Sequence, residues 1–422
     1  MDTAKTTPKV IPMTPKLSFG TTVRDWQEGV NVARLREERA ARARKIMRKH
    51  GVAALIASEP PSVRYLTGLR VAPLHQTTYV LFFADDPDPV VFAHAGWYQQ
   101  MPEDAPWIKK WRVARAWFAG IAGPGATSDE TKKFASEIHQ ELADRGLTKE
   151  KVATIAIDGL GQEALRKEGI TVIEGWPMMM EMRTIKTQDE ITCFRMVASM
   201  CGAAYQRLHE NLRPGITDID ANRIAINSLY DVGADAIWVA TRSGPMSFER
   251  AFYSTGRIIE HGELLYVNMC RTQFLGYSAC IYRTFVVGRQ PSDKEVGMYN
   301  RLRDRLDSVI DAIRPGNTTA DAAKHFPPAK SWGYKDEAEV FTVEFAHGIG
   351  MHELYDPPIV SRHCSFNHPQ PFEPGMVIAV ESMDGEHRVG GVRLENMLVV
   401  TETGVEMLDS FPRDQILVAG TC

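Results

Sequence analysis

The sequence predicts a two-domain protein, in which an α/β domain precedes a larger domain rich in strands. The chain has 422 residues, which is more than one hydrophobic core usually absorbs. Helical and strand patterns alternate through its first part, as expected for an α/β domain. Apolar, strand-like segments bounded by turn residues dominate its last part. Hydrophobic residues make up 44% and charged residues 24% of the chain, which is typical of a folded globular protein.

The first domain opens with a predicted amphipathic helix over residues 31–50, where good helix formers carry apolar residues at helical spacing. The short apolar segments VAALIAS, YVLFFA and VVFAH are predicted strands. A helix from Thr131 and a strand ending at Asp158 continue the alternation. We place the boundary near Arg183. The predicted domains are therefore 1–183, with 1–20 as a surface arm, and 184–422.

The second domain begins with a predicted long helix that Thr187 or Asp189 can cap. Another helix follows the turn RPGITDID. Strands are then predicted in the segments ELLYVNM, FLGYSACIYRTFVV, GMVIAVESM and RLENMLVVTETG.

Charge and cysteine content narrow the possible partners and location. Lys and Arg number 49 against 53 Asp and Glu, so the net charge is −4. This balance argues against nucleic acid and anionic membranes as partners. The six cysteines are dispersed without a CxxC pair, and we interpret them as reduced thiols. No apolar run approaches the roughly 20 residues of a membrane span, and residues 1–20 contain no signal-peptide core. We expect a cytoplasmic protein.

Ionisable residues interrupt three apolar segments of the second domain. Glu381 and Glu395 each lie within an apolar strand pattern. A buried carboxylate needs a metal, a cation such as Arg393, or a proton of its own. His347 is followed by Gly348 and Gly350, which could let a ligand or metal approach the backbone closely. The alternatives are that both carboxylates face solvent from edge strands and that His347 is a hydrogen-bonded core histidine.

Six segments in this order resemble the catalytic domain of the creatinase, prolidase and methionine aminopeptidase superfamily. They are SGP at Ser243, GELLYVN, GYSACIYRTF, HGIGMHE, EPGMVIAVE and GVRLEN. YLTGL at Tyr65 and MRTIKTQDEI extend the resemblance to the smaller N-terminal domain of the prolidase-like branch. The resemblance implies a pita-bread catalytic domain behind a creatinase-type α/β domain, and a homodimer.

The metal ligands of the peptidases in this superfamily are only partly present. The resemblance places two Asp, one His and two Glu around two ions. His347, Glu381 and Glu395 match the last three, but Asn268 and Cys280 stand at the two Asp positions. A hard dinuclear cluster would thereby lose two anionic oxygen ligands.

Two interpretations of this altered site remain. In the one we favour, no metal binds, and the chain is similar to the metal-free branch of creatinase and ectoine hydrolase. Glu381 then binds or attacks the substrate, His347 or His352 moves a proton, and Glu395, hydrogen-bonded near Arg393, orients them. In the other, Cys280, His347, Glu381 and Glu395 hold one zinc or iron ion.

Other candidates concern substrate binding. The catalytic His of creatinase is missing near Ala251, where Arg250 or Tyr253 could take its place. Tyr282 could donate a hydrogen bond to a developing oxyanion or be a core aromatic. Further candidate substrate contacts are Arg362, Arg393, Arg70 and His75, the last two in or near the loop after YLTG.

We expect a metal-independent hydrolase that cleaves a non-peptide C–N bond in a small zwitterionic metabolite. The alternatives are a lyase related to dimethylsulfoniopropionate lyase, a hydrolase similar to an Xaa-Pro peptidase with a single metal ion, and a binding protein without activity.

Overall fold

The computed structural model describes residues 29–71, 78–117, 120–250, 252–340, 345–351 and 355–421. The predicted site residues His75 and His352, and position 251, lie outside these ranges, as do residues 1–20.

The first domain contains one sheet with helices around it. Within the described residues, six strands form this sheet in the order β4-β3-β2-β1-β5-β6. The elements in chain order are α1 (Val32–Lys49), β1 (Ala54–Ala57), α2 (Pro60–Thr67), β2 (Tyr79–Phe83), β3 (Val90–Ala93), α3 (Met101–Asp104), β4 (Lys110–Val113), α4 (Pro124–Ala143), β5 (Lys151–Ile155), α5 (Gly159–Lys167), β6 (Thr171–Glu174) and α6 (Trp176–Thr184).

Helix α1 shows how the sequence pattern produces this domain. The side chain of Asn31 accepts a hydrogen bond from the Arg34 amide and caps the helix. Leu35, Ala43 and Met47 share its buried face, as helical spacing requires. The predicted α/β first domain is confirmed.

The second domain is built on a larger sheet flanked by long helices. Within the described residues, nine strands form it: seven lie in the order β13-β12-β14-β15-β11-β8-β7, β16 pairs with β15, and β17 pairs with β11. Its elements are α7 (Gln188–Asn211), α8 (Asp218–Asp231), β7 (Ala240–Ser243), β8 (Leu264–Asn268), β9 (Gln273–Phe274), β10 (Tyr277–Ser278), β11 (Tyr282–Val287), α9 (Asp293–Ala312), α10 (Thr319–Ala323), β12 (Phe345–Gly348), β13 (Asp356–Val360), β14 (Val377–Glu386), β15 (Gly390–Val400), β16 (Val405–Met407) and β17 (Leu417–Ala419).

Helix α7 starts where the sequence predicts. Thr187 is its N-cap and forms a capping box with Glu190, in which each side chain bonds the other residue's amide. The segment FLGYSACIYRTFVV is predicted as one strand, but the structure divides it. The chain reverses at Leu275 and Gly276, which have φ of 49° and 85°. It forms the β9–β10 hairpin and then β11.

One row of paired residues crosses the second sheet and positions the candidate site. Phe345 on β12 pairs with Glu381 on β14, which pairs with Glu395 on β15. Glu395 pairs with Tyr282 on β11, which pairs with Asn268 on β8. Residues directly opposite each other in a sheet project to the same face, so four polar side chains meet on one side.

Candidate active site

The two carboxylates of this row are completely buried. Glu381 and Glu395 each have 0% exposure, which excludes the alternative that they face solvent. Burial and the charge of Glu395 raise the pKa of Glu381 to about 7. Burial also raises the pKa of Glu395 to about 8, although the positive charge of Arg250 opposes this. Burial thus favours the protonated form of both carboxyl groups, whereas a bound cation would favour their ionised form.

His347 faces the carboxylates with a lone pair. Its Nδ1 lies 3.0 Å from the carbonyl oxygen of Gly348. A carbonyl only accepts, so Nδ1 carries the proton and Nε2 carries the lone pair in the neutral ring. Burial lowers the pKa of His347 and favours that neutral form. Nε2 lies 3.7 Å from Oε1 of Glu395.

These three side chains fit a single metal ion. One ligand atom from each of His347, Glu381 and Glu395 lies within 4.8 Å of the others. His347 Nε2, both Glu381 oxygens and Glu395 Oε1 are buried without a hydrogen-bond partner among the described residues. Buried polar atoms are rarely left unpaired. Imidazole and carboxylate are suitable ligands for zinc and iron.

The glycines after His347 serve packing. A Cβ at Gly348 would collide with the backbone of Pro357, and one at Gly350 would collide with the carboxylate of Asp356. These packing contacts account for both glycines, and the expectation that they admit a ligand stays a prediction. They are required because β12 lies against the start of β13.

Arg250 lies beside His347, Glu381 and Glu395, which together form the triad. Its Nη2 is 3.9 Å from Glu381 Oε1 and 3.1 Å from the hydroxyl of Tyr355. Burial alone would lower the pKa of Arg250, but the charge of Glu381 together with those of Tyr282, Tyr355 and Glu395 outweighs it and raises that pKa. The ring centroids of Tyr355 and His347 lie 4.5 Å apart, with the rings tilted by 57°. The sequence analysis missed Tyr355, because only the β12–β13 pairing brings it here. Tyr253, the other candidate, is 81% exposed.

Cys270 is a second residue that the sequence analysis missed. The structure joins Cys270 and Cys280 by a disulfide, so the expectation of reduced thiols is wrong for this pair. Strands β8 and β11 are antiparallel neighbours, and the hairpin between them returns the chain so that the two cysteines meet. The other cysteines that the structure describes, Cys193, Cys201 and Cys364, are free.

Tyr282 lies in the row between Glu395 and Asn268 and is 1% exposed. Burial, together with the charges of Glu381 and Glu395, raises its pKa well above the usual value. The phenol therefore stays protonated and is suited to donate a hydrogen bond at the site.

The arginines predicted to bind substrate differ in their surroundings. Arg393 is buried and donates to the carbonyl oxygen of Phe248, so the expected hydrogen bond to Glu395 is replaced. Its Nε and Nη1 have no partner in the described part of the chain. Arg362 is engaged by Glu337 and by the carbonyl oxygen of Phe326, which favours a structural role. Arg70 donates to the backbone of Asp235.

Comparison with known proteins establishes the family. Residues 192–402, half of the chain, match the metallopeptidase family M24, and residues 39–169 match the creatinase/prolidase N-terminal domain. The chain belongs to metallopeptidase family M24. The pita-bread domain and the creatinase-type N-terminal domain expected from the sequence are thereby confirmed.

Curated relatives of this M24 protein differ in activity. It is 28% identical over 243 residues to an uncharacterized peptidase, YqhT, of Bacillus subtilis, covering 56% of this chain and 65% of the relative. It is 26% identical over 303 residues to the dimethylsulfoniopropionate lyase DddP of Roseovarius nubinhibens, covering 68% and 65%. The probable dipeptidase PepE of Mycobacterium tuberculosis is 27% identical over 255 residues, covering 59% and 65%. The chain thus spans about 65% of the length of these relatives.

Solved structures support the same fold. An Xaa-Pro dipeptidase from Bacillus anthracis has a TM-score of 0.71 at 21% identity, covering 90% of this chain and 99% of that one. PepE from Mycobacterium ulcerans has a TM-score of 0.72 at 22% identity, covering 92% and 99%. These relatives are dipeptidases, an uncharacterized peptidase and a lyase, so the expected placement nearest to creatinase and ectoine hydrolase is not supported. Across the described ranges, no helix is both long and apolar enough to cross a bilayer.

Proposed function

We propose that this M24 protein is a metal-dependent hydrolase that cleaves the C–N bond of a small substrate bearing a carboxylate, with dipeptides as the substrate class. The observation that supports this most is the meeting of three buried lone-pair groups, His347 Nε2, both oxygens of Glu381 and Oε1 of Glu395, without hydrogen-bond partners in the described residues. A divalent cation would satisfy all three at once. We therefore prefer the one-ion interpretation to the metal-free one.

His347, Glu381 and Glu395 would hold the ion. When bound, a divalent ion at such a site polarises a substrate carbonyl and lowers the pKa of water. Glu381 has two oxygens without hydrogen-bond partners among the described residues, so one of them can take a proton from the attacking water and return it to the leaving amine.

Two further side chains would orient the substrate. Arg250 is about one-fifth exposed and lies at the edge of the triad, where its planar guanidinium can bind a carboxylate with two hydrogen bonds. Tyr282 stays protonated and can donate to the oxyanion that develops on the substrate carbonyl. A dipeptide offers both features, a carbonyl next to the scissile bond and a terminal carboxylate. The homodimer and the cytoplasmic location expected from the sequence remain predictions.

A lyase is the second candidate, since the similarity to DddP covers 68% of the chain. In that case Glu381 would remove a proton from carbon instead of from water. A substrate panel separates the two functions. The purified protein is supplied with zinc, manganese or iron and incubated with Xaa-Pro and other dipeptides, with their amides, and with dimethylsulfoniopropionate.

The proposal expects release of free amino acids from dipeptides and much slower cleavage of their C-terminal amides. Dimethyl sulfide release without dipeptide cleavage would establish the lyase instead. Cleavage of neither class by protein shown to hold metal would overturn the proposed substrate class.

A further inference from the structure

Cys270 and Cys280 lie at the edge of the candidate active site. They flank the β9–β10 hairpin, and backbone hydrogen bonds from Met269 to Ile281 and from Arg271 to Ala279 hold the flanking chains together. Their Cα atoms are 3.9 Å apart. Both residues are buried, each with 8% exposure. The backbone hydrogen bonds therefore hold the two cysteines side by side, whether or not the bond between their sulfurs is formed.

Glu395 has a different neighbour for each of its carboxylate oxygens. Oε1 lies 3.7 Å from His347 Nε2, on the side of the triad. Oε2 lies 3.3 Å from Cys270 Sγ, on the side of the cysteines. Cys270, Cys280 and Glu395 also form a set whose ligand atoms lie within 4.8 Å of one another. Glu395 is thus shared by two adjacent ligand sets.

Asn268 does not belong to the cysteine set. Its side-chain oxygen accepts a hydrogen bond from the backbone amide of Cys270, so it is occupied in shaping the turn that carries Cys270. Because the Asn268 amide is neutral, the two cysteines are the groups that can supply further negative charge beside Glu395. Two thiolates would supply two negative charges, and thiolate ligands favour zinc over hard ions such as magnesium or calcium.

We propose that, once the disulfide is reduced, Cys270, Cys280 and Glu395 bind a zinc ion next to the ion held by His347, Glu381 and Glu395. Glu395 would be the residue that the two sites share, with Oε1 on the side of His347 and Oε2 on the side of Cys270. This deepens the proposed function by naming a thiolate site beside the triad, and it rests on that function only for the shared Glu395. Three protein ligands leave a fourth position of the zinc open to water or substrate.

The oxidation state of the cysteines then controls the second site. A thiol such as glutathione can reduce the disulfide by exchange: the S–S bond breaks, two protein thiols form, and two glutathione molecules leave as their disulfide. Each protein thiol releases a proton when zinc binds. In the disulfide form neither sulfur is an anionic ligand. The chain would therefore hold one ion when oxidised and two when reduced.

The test compares the full-length protein in both oxidation states. One sample is reduced with a phosphine and the other is left oxidised. Both are stripped of metal, dialysed against excess Zn²⁺ and then metal-free buffer, and analysed for zinc. A parallel pair is loaded with Co²⁺, whose bonds to thiolate sulfur give charge-transfer absorption in the near ultraviolet. The matched control is Cys364→Ser, which removes a free, partly exposed thiol outside both ligand sets.

The proposal expects zinc to rise from about one to about two ions per chain on reduction, with cobalt–thiolate absorption only in the reduced sample. Cys270→Ser and Cys280→Ser each abolish that rise, whereas Cys364→Ser retains it. Equal zinc in both oxidation states, or no cobalt–thiolate absorption, overturns the proposal. His347→Ala distinguishes the two sites: its reduced form should keep the cobalt–thiolate band while hydrolysis is lost. If the reduced parent protein shows no cobalt–thiolate band but His347→Ala still loses the triad ion and activity, the proposed thiolate site is wrong and the proposed function stands.

Discussion

Glu381 and Glu395 lie directly opposite each other on β14 and β15, and both are completely buried. Carboxylates in cross-strand contact repel each other when ionised. Their arrangement lowers the stability of the metal-free protein and is useful only where a cation or proton compensates the charge. The two carboxylates thus lower the stability of the fold while providing groups that the proposed function needs.

Replacing Glu381 by Gln should separate activity from stability. The amide keeps the shape of the side chain but cannot serve as a base and is a weaker metal ligand. We expect kcat/KM to fall by at least about 100-fold. The metal-free variant should be as stable as the metal-free parent or more so, because a buried charge is removed. Steady-state kinetics and thermal unfolding measure the two effects. Full activity in Glu381→Gln would exclude Glu381 from catalysis.

Replacing Arg250 by Met should weaken binding of carboxylate substrates. Loss of a charge-assisted pair is expected to raise KM for dipeptides by about 10- to 100-fold. KM for the corresponding C-terminal amides should change little, because they carry no carboxylate. Arg362→Met is the control, since Glu337 already engages that guanidinium. An equal loss for acids and amides would assign Arg250 a structural role instead.

Arg283 should be a major contributor to the stability of the second domain. It is buried, forms an ion pair with Asp409 and donates to the carbonyl oxygens of Tyr282 and Glu395. Arg283→Met would leave Asp409 buried without its cation, and we expect a loss of about 3–5 kcal/mol in urea unfolding. Arg301→Met is the matched control, because that side chain is 61% exposed, and it should cost less than about 1 kcal/mol. Similar losses in the two variants would contradict this account.

Gly350→Ala should be destabilising because of Asp356. The new methyl group would collide with that carboxylate, which is buried and lies 3.7 Å from the ammonium group of Lys186. We expect a cost of about 1–3 kcal/mol in the parent and less than about 0.5 kcal/mol in an Asp356→Ala background. A double-mutant cycle in urea measures the coupling. Gly404→Ala, where the methyl group meets open space, is the control. If the costs of Gly350→Ala and Asp356→Ala are additive, contact between the new methyl group and Asp356 is not the cause of the destabilisation.

Much of the fold could be predicted because its signals are local. The apolar runs of β8, β14 and β15, the helical spacing of α1 and the Thr187 cap need only neighbouring residues. His347, Glu381 and Glu395 stood out for the same reason, as ionisable groups in apolar segments. The resemblance to a known superfamily then placed them in one pocket.

The remainder depends on tertiary structure. Cys270 and Tyr355 enter the site only because a hairpin and the β12–β13 pairing bring them there. The need for glycine at position 350 arises from Asp356, a neighbour created by the fold. Arg393 donates a hydrogen bond to Phe248 and Arg362 donates one to Glu337. Both acceptors are distant in sequence from their arginines. Such contacts leave no periodic pattern to detect.

The most direct test of the account is metal removal followed by replacement, with hydrolysis of a cleaved dipeptide as the readout. We expect protein stripped by a chelator to lose activity and regain it on adding a divalent ion, with His347→Ala neither holding the triad ion nor recovering activity. Undiminished turnover by protein that elemental analysis shows to be metal-free would contradict the account and favour the metal-free interpretation.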